Sequence, residues 1–196
     1  MFEWITPYEQ NLLQALQNLR CPALDFFLQA LTTSGNAGMV WILWTFILLV
    51  LFQKRRLALT LGLALGIGFV ITNICLKPLI FRPRPLTLLP SEIFSLLPIH
   101  PKDPFSFPSG HSCAGFAFAT AMQCHPDPHR IQRVLAWCLG LLIAFSRLYF
   151  YLHYPTDVLA GIVIGVTSAL IACFIMRRME QKSPQRPFDR NEGLDR

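Results

Sequence analysis

Charge is scarce in this sequence. Only 14% of its residues are Asp, Glu, Lys or Arg, against 53% hydrophobic. A soluble surface needs more charge than that, and the long uncharged runs are those of membrane spans. Cysteine pairing is missing too. Cys21, Cys75, Cys113, Cys124, Cys138 and Cys173 show no C-x-x-C spacing and sit in or beside apolar runs. They read as small buried hydrophobes, which excludes a disulfide frame or a zinc site. There is no basic leader: Met1 to Gln17 carries Glu3 and Glu9. That excludes a cleavable signal peptide and leaves targeting to the apolar runs. No carboxylates cluster at metal-ligand spacing, so neither metal nor cofactor is expected. Nor are there two related halves, which argues against a transporter. The net charge of +6 does not point to nucleic acid. The basic residues are not interleaved with exposed aromatics and cluster at the ends of apolar runs, as at a membrane surface.

What is present predicts an all-α, polytopic membrane bundle of about five spans behind N-terminal interfacial helices. Residues 1–36 hold two short helical segments divided by Cys21-Pro22. Leu12, Leu13, Leu16 and Leu19 recur at helical spacing with Gln and Asn opposite, an amphipathic helix for the membrane interface. Spans are predicted at Gly38–Gln53, Leu57–Leu76, Ser109–Cys124, Val134–Ser146 and Pro155–Met176. In the second, Gly62, Gly66 and Gly68 are expected to let helices pack closely. A membrane-spanning body at 37–178 and a polar cytoplasmic tail at 179–196 complete the division. Between the second and third spans lie 32 residues, Lys77 to Pro108, with eight prolines. A connection that long is functional or disordered.

Charge also orients the chain. Eleven of the seventeen Lys and Arg fall in loop 54–56, turn 125–133 and the tail. The positive-inside rule makes that side cytoplasmic and places the long loop, Ser109 and His153 outside. Five spans then put the N-terminus outside and the C-terminus inside. If residues 9–34 form a sixth, kinked span, the N-terminus lies inside instead.

Lys77, Arg84, Arg147, His153 and Asp157 all sit at the outer ends of spans. Each basic residue alone could be a snorkelling side chain, and Asp157 alone could be a helix-dipole partner. Pro108-Ser109-Gly110-His111 reads as a capped helix N-terminus, where free N–H groups and the dipole favour an anion. Three cations, that terminus and two histidines at one membrane level make a receptor for a phosphate dianion. His153 and Asp157 are four apart, a spacing at which the carboxylate can fix the imidazole tautomer.

Three segments in order, Lys77-x6-Arg84-Pro85, Pro108-Ser109-Gly110-His111 and Ser146-Arg147-x5-His153-x3-Asp157, resemble the three-part signature of the type 2 phosphatidic acid phosphatase family. The resemblance covers about Leu57 to Met176. It implies a catalytic set of His153, His111 and Asp157. His153 is the nucleophile that forms a phosphohistidine, Asp157 orients it, and His111 protonates the leaving oxygen. Lys77, Arg84, Ser109, Gly110 and Arg147 bind the phosphate. It also implies a lipid substrate, no metal, and a site at the outer face of a bacterial plasma membrane, as in undecaprenyl-pyrophosphate phosphatases. Phosphatidic acid and phosphatidylglycerol phosphate phosphatases share the signature. So do the vanadium haloperoxidases, whose larger soluble bundles these spans do not fit. Arg82, within the variable stretch of the first segment, is assigned no more than a headgroup contact, and Ser106 and Ser112 supporting hydrogen bonds. His100, His125 and His129 read as solvated.

Overall fold

The computed structural model describes residues 2, 4–89, 99, 101 and 103–182. Among them are seven main helices: α1 (Thr6–Gln17), α2 (Pro22–Ser34), α3 (Met39–Val50), α4 (Arg55–Ile80), α5 (Gly110–Cys124), α6 (Arg130–Tyr149) and α7 (Pro155–Lys182). Proline opens α2 and α7 at a position where its missing N–H would find no helical partner anyway. Helix α4 widens to a π-helix over Val70–Leu76 before its last turn. That is a common form at functional sites, and here it leads straight into Lys77.

Three helices, α4, α6 and α7, are long and apolar enough to cross a membrane. Helices α2 and α3 are long and apolar enough only when taken together, and they are bent by 53° at the break between them, as in a broken span or a re-entrant loop. Large apolar side chains such as Ile42, Phe46, Leu59, Leu141, Val163 and Phe174 face outward from the bundle, where lipid takes the place of water. The protein is an integral membrane protein. The expected third span keeps its bounds to within one residue: helix α5 has 15 residues, with Ser112, Cys113 and every residue from Gly115 to Met122 buried in the bundle.

Small residues set that arrangement, though only one of those expected in α4 is among them. Gly62 and Gly66 have nothing within 4 Å of where a Cβ would stand, and of the three glycines in α4 only Gly68 is tight, against Cys113. The close seam is between α5 and α7. A Cβ on Gly161 would stand 2.4 Å from the Ser109 carbonyl oxygen, and one on Gly165 would stand 2.4 Å from that of Cys113. On the opposite side of α5, Gly115 meets Gly140 of α6 backbone to backbone. The core around this seam is Trp41, Leu57, Leu61, Phe118, Met122 and Ile143.

The N-terminal helices do more than lie at an interface. Leu13 and Leu28 are fully buried with Tyr149, Phe150, Leu152 and Tyr154, so α1 and α2 cap the end of the bundle where α6 turns into α7. The opposite end gathers the basic loops: Lys54 pairs with Asp127, Arg56 with Glu180, and Arg177 donates to the Cys124 carbonyl. The polar tail from 183 onward and the middle of the long loop, 90–98, lie outside the described residues.

Candidate active site

The Pro108–His111 segment is the helix N-terminus that its sequence implies. Ser109 is the N-cap of α5; its hydroxyl accepts from the Ser112 amide at 3.3 Å and from the Ser112 hydroxyl at 2.9 Å. The Ser109 amide donates to the Asp157 carbonyl at 3.0 Å. This bond, with the bare Gly161 beneath it, ties the cradle directly to the start of α7.

His153 hangs from a tight turn between α6 and α7. The amides of Leu152 and His153 both donate to the Arg147 carbonyl, and Tyr151 holds a left-handed φ of 54°. Such a backbone costs a non-glycine residue about 1–3 kcal/mol and persists where its surroundings over-determine it. Here the Leu86 amide bonds the Tyr151 carbonyl at 3.0 Å. The imidazole is buried. Its Nδ1 donates to the Ser106 carbonyl at 2.7 Å, and its Nε2 lies 3.2 Å from Arg84 Nη1. Asp157 is 3.8 Å from Nδ1, beyond hydrogen-bond reach. A backbone carbonyl therefore sets the tautomer that the i,i+4 spacing suggested Asp157 would set. Asp157 stands beside the ring without bonding it and is itself fixed at both oxygens: Oδ2 accepts from the Tyr154 amide at 2.8 Å, and Oδ1 from Arg82 at 2.6 Å. Burial first, then the charges of Arg84, Arg147 and Lys77, hold the His153 imidazole well below its ordinary pKa, against the pull of the Ser106 bond. That direction favours the neutral ring, with the Nε2 lone pair facing the cations.

Those cations converge as the charge argument requires. Arg84 is buried; its Nη1 donates to the Leu152 carbonyl at 2.8 Å and its Nε to the Asp103 carbonyl at 2.7 Å. The Asp103 carboxylate bridges Lys77 Nζ at 2.5 Å and Arg84 Nη2 at 3.7 Å. An anionic oxygen thus already sits between two of the expected phosphate ligands. Burial pushes the Asp103 carboxyl up, but the Lys77 hydrogen bond, the Phe105 amide and the two cations outweigh it and leave the pKa lowered. Arg147 is buried, donates from Nη1 to Thr32 Oγ1 at 2.6 Å, and keeps a buried Nε with no partner among the described residues. His111 lies on the first turn of α5, its Nε2 3.1 Å from Asn36 Oδ1.

All eight signature residues therefore come to one end of the bundle. Other neighbours were not foreseen as site residues. Glu9, Thr32 and Asn36 come from the N-terminal segment, and the Ser106 carbonyl comes from the backbone. Arg82, expected at most to touch a headgroup, instead points inward to Glu9 and Asp157. The sequence signal for this was Glu9, the one charged residue between Trp4 and Leu19.

Comparison with known proteins agrees with this geometry. The profile described as the PAP2 superfamily matches residues 57–181, more than half of the chain. The chain belongs to the PAP2 superfamily. Among curated superfamily members it is 27% identical over 190 residues to the lipid A 4'-phosphatase of Bacteroides thetaiotaomicron, covering 91% of this chain and 81% of that protein. It is 33% identical over 117 residues to the undecaprenyl-diphosphatase BcrC of Bacillus subtilis, which is 58% of this chain and 55% of that one. Among solved structures, Aquifex aeolicus LpxE superposes with a TM-score of 0.67 at 28% identity, covering 83% of this chain and 92% of that one.

Proposed function

We propose that this PAP2-superfamily chain is a lipid phosphatase that removes a terminal phosphate by way of a phosphohistidine on His153. The observation that carries the reading is the two-sided arrangement of that ring. Nδ1–H is tied to a carbonyl, and Nε2 faces Arg84, where a phosphate shared by Lys77, Arg84 and Arg147 would lie. In the first step Nε2 attacks phosphorus, and the bond to the leaving oxygen breaks. His111 gives that oxygen a proton, the leaving oxygen replacing Asn36 as its partner. The imidazolium that forms keeps its Nδ1 proton on Ser106 and lies beside the Asp157 carboxylate. In the second step water, deprotonated by His111, attacks phosphorus and His153 leaves as the neutral imidazole. The cations and the amides at the start of α5 meet charge as it builds on the phosphoryl oxygens. Buried Arg147 Nε is a donor suited to that task.

Undecaprenyl pyrophosphate is the favoured substrate, followed by phosphatidic acid and phosphatidylglycerol phosphate. Lipid A phosphate is a second reading, supported by the long match to the Bacteroides protein. An extracytoplasmic site is supported by the gathering of Lys54, Arg56 and Arg177 at the other end of the bundle.

Phosphate release from those four lipids by purified protein in detergent ranks the substrates. His153→Ala is expected to abolish turnover, and vanadate, a mimic of five-coordinate phosphorus, to inhibit the wild type. Full activity of His153→Ala would remove the nucleophile assignment.

A further inference from the structure

Glu9 and Arg82 form an ion pair that the phosphoryl-transfer steps above do not use. Both are almost fully buried, at 4% exposure each, beside Asp157 at 0%. Arg82 Nη2 donates to Glu9 Oε2, while its Nη1 donates to Asp157 Oδ1 at 2.6 Å and to Thr156 Oγ1 at 2.7 Å. The guanidinium is sandwiched between two rings, its Cζ 4.1 Å from the Phe2 centroid and 3.9 Å from that of Tyr154. Faced this way, Arg82 has no route to a phosphate. Glu9 completes the set: its Oε1 accepts from the Thr156 amide at 2.9 Å and from the Thr156 hydroxyl at 2.7 Å. The first turn of α7, which carries Asp157, is thus gripped from α1 at two points.

A buried charge left without a partner is costly, so a pair of this kind is kept where it fixes a geometry. Here the geometry is that of the carboxylate beside the nucleophile. We infer that Glu9 is a positioning residue for phosphoryl transfer: through Arg82 it holds Asp157 against His153, so that a segment preceding the PAP2-matched region completes the active site. With the Glu9 charge gone, Arg82 would be drawn wholly onto Asp157 and quench the field that steadies the imidazolium. The phosphate ligands Lys77, Arg84 and Arg147 would be untouched. The inference rests on the proposed role of Asp157.

The test compares Glu9→Gln, Glu9→Asp and Asp157→Asn in the full-length protein, on whichever panel lipid the wild type turns over fastest. Glu9→Gln keeps the shape and loses the charge; Glu9→Asp keeps the charge and loses one methylene. The expected result is a kcat about tenfold lower for Glu9→Gln, with KM and the inhibition constant of inorganic phosphate within about twofold of wild type. Glu9→Asp should recover most of the loss. The inference is overturned if Glu9→Gln turns over like the wild type, or if both Glu9 variants lose kcat and phosphate affinity in parallel, as mere loosening of the fold would produce. Full turnover by Asp157→Asn would instead remove the Asp157 role, and this inference with it. If Glu9→Ala fails to fold, the near-isosteric Glu9→Gln still decides.

Discussion

Two regions of the molecule meet at the site, and they are built differently. The PAP2-matched part holds the eight signature residues at the ends of, and in the turns between, helices that pack closely: α5 lies against α7 through Gly161 and Gly165, and against α6 through Gly115 and Gly140. The segment before it, α1 and α2, reaches the site with side chains alone. Glu9 grips Arg82, Thr32 holds Arg147, and Asn36 meets His111. The first region fixes where the chemistry happens by steric exclusion, which tolerates no added atom. The second fixes how the reacting groups are aimed by hydrogen bonds, which can weaken without collapse.

Gly165→Val should give the largest effect, because the new side chain meets the Cys113 carbonyl at 2.4 Å and the Ala117 amide at 2.9 Å. Both are backbone, so neither can turn aside. Little folded protein is expected by size exclusion in detergent. Gly62→Ala in α4, with open space around it, should behave as wild type; equal behaviour of the two would break the comparison.

Thr32→Val tests the other region with a substitution of nearly equal shape. It leaves the buried Arg147 short of a partner, a loss of about 1–3 kcal/mol for an unsatisfied buried donor. The protein should still fold, with KM raised roughly tenfold and kcat changed less, because Arg147 would grip phosphate from a looser position. A collapse like that of Gly165→Val would show that the N-terminal segment is as rigid as the bundle.

The smallest effect expected is on pH dependence. Attack needs neutral His153, and burial with three neighbouring cations lowers its pKa. Protonation therefore begins only below the ordinary imidazole value of about 6.5. The acid limb of kcat/KM should lie under that value, and Arg147→Ala, by removing one cation, should raise its midpoint. A limb above 6.5 in the wild type would contradict a buried, cation-flanked nucleophile.

The helical class and the signature were legible because both are carried by side-chain identity at fixed spacing. Lys77, Arg84, Ser109, Gly110, His111, Arg147, His153 and Asp157 needed only to be brought to one end, and the spans do that. Other features were hidden for physical reasons. The partner of His153 is the Ser106 carbonyl, a group every residue carries. Glu9 sits on a helix that reads as amphipathic, where an acid looks solvated until something covers it. Arg82 belongs to the same short run as Arg84, and the chain alone cannot say which of these two buried arginines faces His153 and which faces Glu9. The tight glycines are those of α5 to α7, with Gly68 of α4, because tightness depends on the neighbour and not on glycine frequency.

The shortness of α5 has one more consequence. Fifteen residues rise about 22 Å, whereas the hydrocarbon layer is about 30 Å thick. Its C-terminal end lies level with the charged Lys54–Asp127 and Arg177 contacts. If those contacts mark one boundary of the bilayer, the Ser109 turn stops about 8 Å short of the other, and the proposed chemistry takes place at a depth. A phosphate already tethered to an acyl or prenyl chain is held near that depth by its own tail, whereas a water-soluble ester would have to leave water to arrive there.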